Sequence, residues 1–286
     1  MSEPQAPQPP APPSTRPEPR EIAELRRLKQ DQPDLAAAAD LQIELLQIQR
    51  RIQARVPLPS IRLEASHLNG LLANGPILQF EQLPVDWTDL RFMLRATATA
   101  MRNHDALEDA DYKRAEDLSR QAERLPGILR TWYESPLPGS APISPDAAGI
   151  EAVIQQAMRP FLTRASEAVM ARTDLATWNR GSCPLCGGEP DLAVITAAAD
   201  RLLICGRCAA RWRFEPLTCP FCFNGDRKRI TSFASRDGQY RLYACDVCGR
   251  YVKAYDARRA SRPVMPVVDG VATLPLDAAA IQKGYR

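Results

Sequence analysis

Eight cysteines fall into four C-x-x-C pairs: Cys183/Cys186, Cys205/Cys208, Cys219/Cys222 and Cys245/Cys248. The chain has no other cysteine. Eighteen residues separate the first pair from the second, ten the second from the third, and twenty-two the third from the fourth. Thiolates at this spacing are metal ligands. A tetrahedral ion needs four sulfurs at about 2.3 Å, and one C-x-x-C turn offers two of them. The turn also points backbone N–H groups at its sulfurs, which spreads their charge. Pro184, after the first cysteine, presets φ for such a turn, and Gly187, after the second, permits a left-handed backbone.

Each knuckle is half a site, so four knuckles predict two ions. Sequential pairing, first with second and third with fourth, leaves a hairpin between the halves of each site, as in rubredoxins and zinc ribbons. A cross-braced pairing is the alternative. Four thiolates with no nitrogen ligand suit zinc or a mononuclear iron. One such ion contributes about 10–16 kcal/mol of apparent binding free energy, enough to make a small ribbon depend on it. No histidine follows any pair, which excludes covalent c-type haem attachment. Four regularly placed pairs fit poorly with a thioredoxin-like redox site. A catalytic zinc keeps an open position and mixes in histidine or carboxylate; the only histidines are His67 and His104, far upstream. Ordinary surface or core roles are expected for both.

The elements that must carry these knuckles change character along the chain. Residues 1–20 hold eight prolines and few apolar groups, which predicts a disordered tail. Residues 21–175 read as five or six helices in a bundle. Leu41, Leu45, Ile48 and Ile52 share one helix face, with Asp34 as the expected N-cap and Pro57 and Pro59 as the stop. Asp86 is placed to cap a helix burying Leu90, Met93, Leu94 and Met101. A charged helix is expected from about Asp105, a shorter one around Ile128–Tyr133, a loop from Ser135 to Pro145, and a helix from Ala147 to Arg172 bent at Pro160. From near residue 176 the texture is that of strands: Leu202-Leu203-Ile204 is a short apolar run, and Tyr240 to Ala244 alternates. The expected boundaries are 176–214 for the first four-cysteine module, 215–262 for the second, and 263–286 for a tail with a short helix. The fold class is α+β: an N-terminal all-α bundle, then two tandem rubredoxin-like/zinc-ribbon β modules.

Charge tests a nucleic-acid role. Residues 183–262 carry a net +6 and residues 1–182 a net −3. Eight thiolates around two divalent ions add −4, which leaves about +2 on the metallated modules, a weak field for phosphate. Arg227-Lys228-Arg229 reads as a solvated hairpin tip. Trp212 and Phe214 could stack bases, but aromatic residues beside such knuckles more often cover the metal. A nucleic-acid-binding zinc ribbon is therefore the alternative, not the first reading. No apolar run is long enough to span a membrane and no signal peptide is visible, so a cytoplasmic protein is expected. No acid–base pair, phosphate loop or nucleophile elbow appears, which agrees with a non-enzyme.

The C-terminal half resembles the FdhE family of formate dehydrogenase accessory proteins. The resemblance rests on CPLCGGEP (Cys183 to Pro190), CGRCAARW (Cys205 to Trp212), CPFC (Cys219 to Cys222), CDVCGRYVKAYD (Cys245 to Asp256) and the closing DGVATLPLDAAAIQKGYR (Asp269 to Arg286), with RPFL (Arg159 to Leu162) a weaker match. It implies a helical domain followed by tandem rubredoxin-like modules, with iron as the metal. It also implies a maturation factor that binds the catalytic subunit of a formate dehydrogenase in the cytoplasm and is not itself a dehydrogenase. The proline-rich extension departs from the family pattern. Arg207, Arg250, Tyr251 and Lys253, beside the knuckles, are the expected partner contacts.

Overall fold

A computed structural model describes residues 18–135, 148–260 and 262–286. Residues 1–17 of the tail expected at 1–20, and all but Ser135 of the loop expected from Ser135 to Pro145, lie outside the described residues; the first helix already begins at Arg20. Among the described residues, seven α-helices precede the strands: α1 Arg20–Asp31, α2 Ala36–Gln53, α3 Ala65–Asn74, α4 Trp87–Asn103, α5 Asp109–Arg120, α6 Leu125–Glu134 and α7 Ala148–Met170. The face expected of α2 is the packed one: Leu45 and Ile52 are buried, and Leu41 and Ile48 half-buried. Asp86 caps α4 as expected, its carboxylate accepting from the N–H groups of Thr88 and Asp89. Leu90, Met93, Leu94 and Met101 are buried below it. Asp34 does not cap α2. Pro33–Leu35 forms a 3-10 turn that leads straight into the helix, so Asp34 sits within the first turn, where its charge opposes the helix dipole favourably. The helices exceed the expected number because α1 and α3 are short and bury only two residues each, too few for a strong periodic signal.

Six strands follow: β1 Pro190–Ile195, β2 Arg201–Cys205, β3 Arg211–Phe214, β4 Ile230–Ala234, β5 Tyr240–Cys245 and β6 Tyr251–Asp256. Each module is a knuckle, two strands, a second knuckle and a third strand. The two meanders fuse into one sheet of order β3-β2-β1-β6-β5-β4. The seam is the parallel pair β1–β6, which sets Leu192 against Lys253 and Ala193 against Ala254; the other neighbours run antiparallel. Both sheet faces are covered. Ala193, Ile195, Leu203, Trp212, Phe214, Val252 and Ala254 join the helical core. On the opposite face, Leu192, Val194, Ile204, Tyr240 and Tyr255 meet Val264, Ala272 and Leu276. Burial on two sides explains why β1 reads as an apolar run rather than alternating. The basic cluster is not a hairpin tip. Asp226 accepts from Lys228 N–H and starts a 3-10 turn, Arg227–Arg229, that feeds β4.

The tail forms two short helices, α8 Pro266–Ala272 and α9 Leu274–Gln282. Val268 and Val271 of α8 pack with Ile22, Leu25 and Leu46, so the tail ties the sheet to the first helices. Its anchor is Asp269, whose side chain is 0% exposed. Asp269 accepts from Tyr240 Oη at 2.8 Å, from Arg262 Nη2 at 2.7 Å and from the Met265 N–H at 2.7 Å. Replacing it by alanine removes the acceptor of Tyr240 and the nearer acid of Arg262, which keeps Glu24 at 3.6 Å and the Pro263 carbonyl. The expected cost for Asp269→Ala is about 3–5 kcal/mol of unfolding free energy, read by urea denaturation; a loss below about 1 kcal/mol would remove Asp269 as the anchor.

Candidate metal centres

All four knuckles share one backbone design. The N–H of the residue after each second cysteine donates to the carbonyl of the first: Gly187 to Cys183 at 3.0 Å, Ala209 to Cys205 at 3.1 Å, Phe223 to Cys219 at 2.9 Å and Gly249 to Cys245 at 2.8 Å. The first cysteine in turn donates its N–H to the carbonyl five residues on, in Gly188, Ala210, Asn224 and Arg250. Closing this loop requires a left-handed residue, and φ there is 70°, 59°, 60° and 69°. Gly187 and Gly249 adopt it freely. Ala209 and Phe223 adopt it at a cost of about 1 kcal/mol each, which the knuckle must outweigh.

The knuckles pair sequentially. Cys183, Cys186, Cys205 and Cys208 form one tetrad, and Cys219, Cys222, Cys245 and Cys248 the other; within each, all sulfurs lie within 4.8 Å of one another. The closest sulfur–sulfur distances are 3.5–3.6 Å in the first tetrad and 3.6–3.7 Å in the second. A tetrahedron with metal–sulfur bonds of about 2.3 Å has edges of about 3.8 Å. The eight cysteines are free rather than disulfide-bonded, and each tetrad is capable of holding one metal ion. Leu185 N–H points at Cys183 Sγ and Arg207 N–H at Cys205 Sγ, both at 3.4 Å. Sulfur donors alone suit zinc and mononuclear iron equally. Burial pushes the Cys183 thiol far up, while hydrogen bonds from Cys183, Cys205 and Cys208 pull Cys186 far down. In the second tetrad burial works to raise Cys245, yet the N–H groups of Cys248 and Val247 bring it down to about 7.

The first tetrad sits where sheet meets helices. Its four cysteines are 0–4% exposed and belong to the helical core. Ile77 and Leu78 donate their N–H groups to the carbonyls of Pro184 and Leu185, at 2.9 and 2.8 Å. Gly188 must be a glycine, because a Cβ would lie 2.9 Å from Cys205 Sγ and 3.1 Å from Cys186 Sγ. Arg207, expected to face a partner, is 4% exposed and faces inward instead. It donates to the carbonyls of Tyr133 and Trp132, at 3.0 and 3.1 Å, and lies 4.3 Å from the centre of the Trp132 ring. Burial pulls its pKa down, and the thiolates of Cys186 and Cys205 push it back up. Four thiolates and a divalent ion carry −2, and Arg207 offsets half of it. Sequence alone missed this role because the knuckle position looked like surface.

Arg250, Tyr251 and Lys253 line a cleft of about 270 Å³ at the seam between the modules, with Glu189, Asp191 and Asp277. Arg250 pairs with Glu189 and stacks 3.6 Å above the Phe221 ring. Tyr251 Oη and Lys253 Nζ both donate to Asp277, at 2.9 and 2.6 Å. The acids Glu189 and Asp277 were missed by sequence reasoning, although Asp277 lies in the closing segment that carries the resemblance. Trp212 and Phe214 are 2% and 4% exposed, so neither ring is open for base stacking. His67 and His104 stay in the helical part, where His104 Nε2 meets Glu44 Oε2 at 3.0 Å.

Two substitutions probe this design. Arg207→Met is expected to cost about 3–5 kcal/mol in the metal-loaded protein, read by urea denaturation; an unchanged midpoint refutes the compensating role. Gly249→Ala meets nothing within 4 Å. It is expected to lower stability by about 1 kcal/mol through backbone strain alone, with metal content unchanged; loss of metal would show that the glycine does more.

No family model matches the chain. Among curated proteins it is 26% identical over 193 residues to an FdhE homolog of Haemophilus ducreyi and 28% identical over 113 residues to one of Aquifex aeolicus. It is also 29% identical over 109 residues to the FdhE protein of Escherichia coli O1:K1 / APEC. These matches cover 66%, 38% and 37% of this chain, and the chain spans 58%, 40% and 35% of those relatives. The crystal structure of the FdhE protein from Pseudomonas aeruginosa superposes with a TM-score of 0.64 at 20% identity, covering 93% of this chain and 92% of that one. Over part of its length the chain is similar in sequence to FdhE proteins, and over nearly all of it its fold is that of the Pseudomonas aeruginosa FdhE structure.

Proposed function

We propose that the chain is a maturation factor for a formate dehydrogenase, binding the client's catalytic subunit in the cytoplasm. The observation that carries this reading is the pair of cysteine tetrads mounted on the fold of an FdhE protein. The eight cysteines are the proposed ligands, with one iron or zinc ion in each tetrad. The helical part, 21–175, and the modules 176–214 and 215–262 are the proposed functional units. The role is binding rather than catalysis. Each ion rigidifies two loops, and rigid loops dock a partner without the entropic cost of ordering on contact. Arg250, Tyr251 and Lys253 are proposed to meet the client at the seam cleft, where Glu189 and Asp277 already hold their side chains in place. Arg207 supports that surface from within. No helix among the described residues is long and apolar enough to cross a membrane.

Anaerobic affinity purification from the native host tests the reading. The catalytic subunit of a formate dehydrogenase is expected to co-elute, with two equivalents of iron or zinc on the chain. Cys183→Ala is expected to lose one equivalent and to lower the melting temperature. Recovery of nucleic acid in place of that subunit, released steeply by salt, would point to the ribbon alternative.

A further inference from the structure

The two tetrads are built alike and housed differently. Residues at the same knuckle position make the comparison direct. The third residue of each C-x-x-C turn is Leu185 and Arg207 in the first module, Phe221 and Val247 in the second. Leu185 and Arg207 are 0% and 4% exposed, pressed against the helices, whereas Val247 is 54% exposed. Phe223, the left-handed residue beside Cys222, is 56% exposed. The ligands follow their surroundings. All four sulfur-bearing residues of the first tetrad are buried, while in the second Cys222 is exposed and Cys248 half-buried.

We propose that the second tetrad is an exchangeable metal centre, open to soft divalent cations, chelators and thiol-directed reagents at its Cys222 edge, and that the first is an inert staple. This rests on the reading that each tetrad holds one ion. Exchange at a four-thiolate ion is a substitution. The incoming donor forms its bond to the ion as the metal–Cys222 bond breaks, and the departing thiolate keeps the electron pair and takes a proton from solvent. No electron is transferred. Cys222 is an exposed residue, so the step needs no parting of packed elements. At the first tetrad the same substitution requires parting Pro184 and Leu185 from Ile77 and Leu78, and withdrawing Arg207 from the carbonyls of Trp132 and Tyr133. That is a local unfolding step, and its free energy lowers the exchange rate exponentially. Occupancy of the second centre therefore follows the supply of metal and thiols while the first keeps the fold intact.

The test uses the full-length protein loaded with zinc and measures metal content first. Uptake of fewer than two equivalents removes the two-ion reading and the proposal with it. With two equivalents bound, mixing with excess 4-(2-pyridylazo)resorcinol is expected to release zinc in two phases of one equivalent each, at rates at least about tenfold apart. Pulsed labelling of the same sample with N-ethylmaleimide, followed by peptide mass spectrometry, is expected to mark Cys222 and Cys248 during the fast phase and the first tetrad only in the slow one. Arg207→Met should speed the slow phase and leave the fast one unchanged. Release in a single phase, or labelling of Cys183, Cys186, Cys205 or Cys208 first, overturns the proposal while leaving the two-ion reading intact.

Discussion

Four thiolates cannot share an enclosure whose sulfurs stand 3.5–3.7 Å apart unless protons or a cation neutralise them. The rest of the C-terminal half depends on that constraint. The four congruent knuckles spend backbone strain at Ala209 and Phe223 to aim sulfurs inward. Among the strands between knuckles, β4 has no buried residue at all, so the outer edge of the second module has the least packing to hold it. A cation at the centre of each tetrad would convert mutual repulsion into four bonds and make each pair of knuckles a rigid unit.

That unit is not left to stand alone. Fusing both meanders through β1 and β6 removes two of the four edges that separate ribbons would expose. The helices cover one face of the sheet and the tail covers the other, with Asp269 and Asp277 as polar anchors in the tail. The first tetrad is thereby absorbed into the core of the helical part. The second stays at the rim, and the two centres divide between holding the fold and meeting the surroundings.

Much of this was legible in the residues. The cysteine spacing indicated four knuckles and two tetrads because a knuckle is a local structure; it favoured the sequential pairing now seen but left a cross-braced one open. Asp86 was legible for the same reason: a cap is decided within one turn. Asp34 was not, since Pro33 and a 3-10 turn took over the start of the helix. The single sheet was illegible because its seam pairs residues 61 positions apart, and nothing in either strand names the other. Arg207 misled because a charged residue in a turn looks like surface until the helical carbonyls it serves are in view. Arg227-Lys228-Arg229 misled in the opposite sense: its solvation was expected, but Asp226 moved it out of the hairpin.

The parallel seam has a bearing on biosynthesis. β1, Pro190–Ile195, gains β2 as soon as the chain turns back, but its other edge waits for β6, Tyr251–Asp256. At about 5–20 residues per second, a ribosome takes several seconds to supply that neighbour. For that interval Leu192, Ala193, Val194 and Ile195 present an open apolar strand on the nascent chain, so this edge is the point at which a newly made molecule is most prone to pair with another copy.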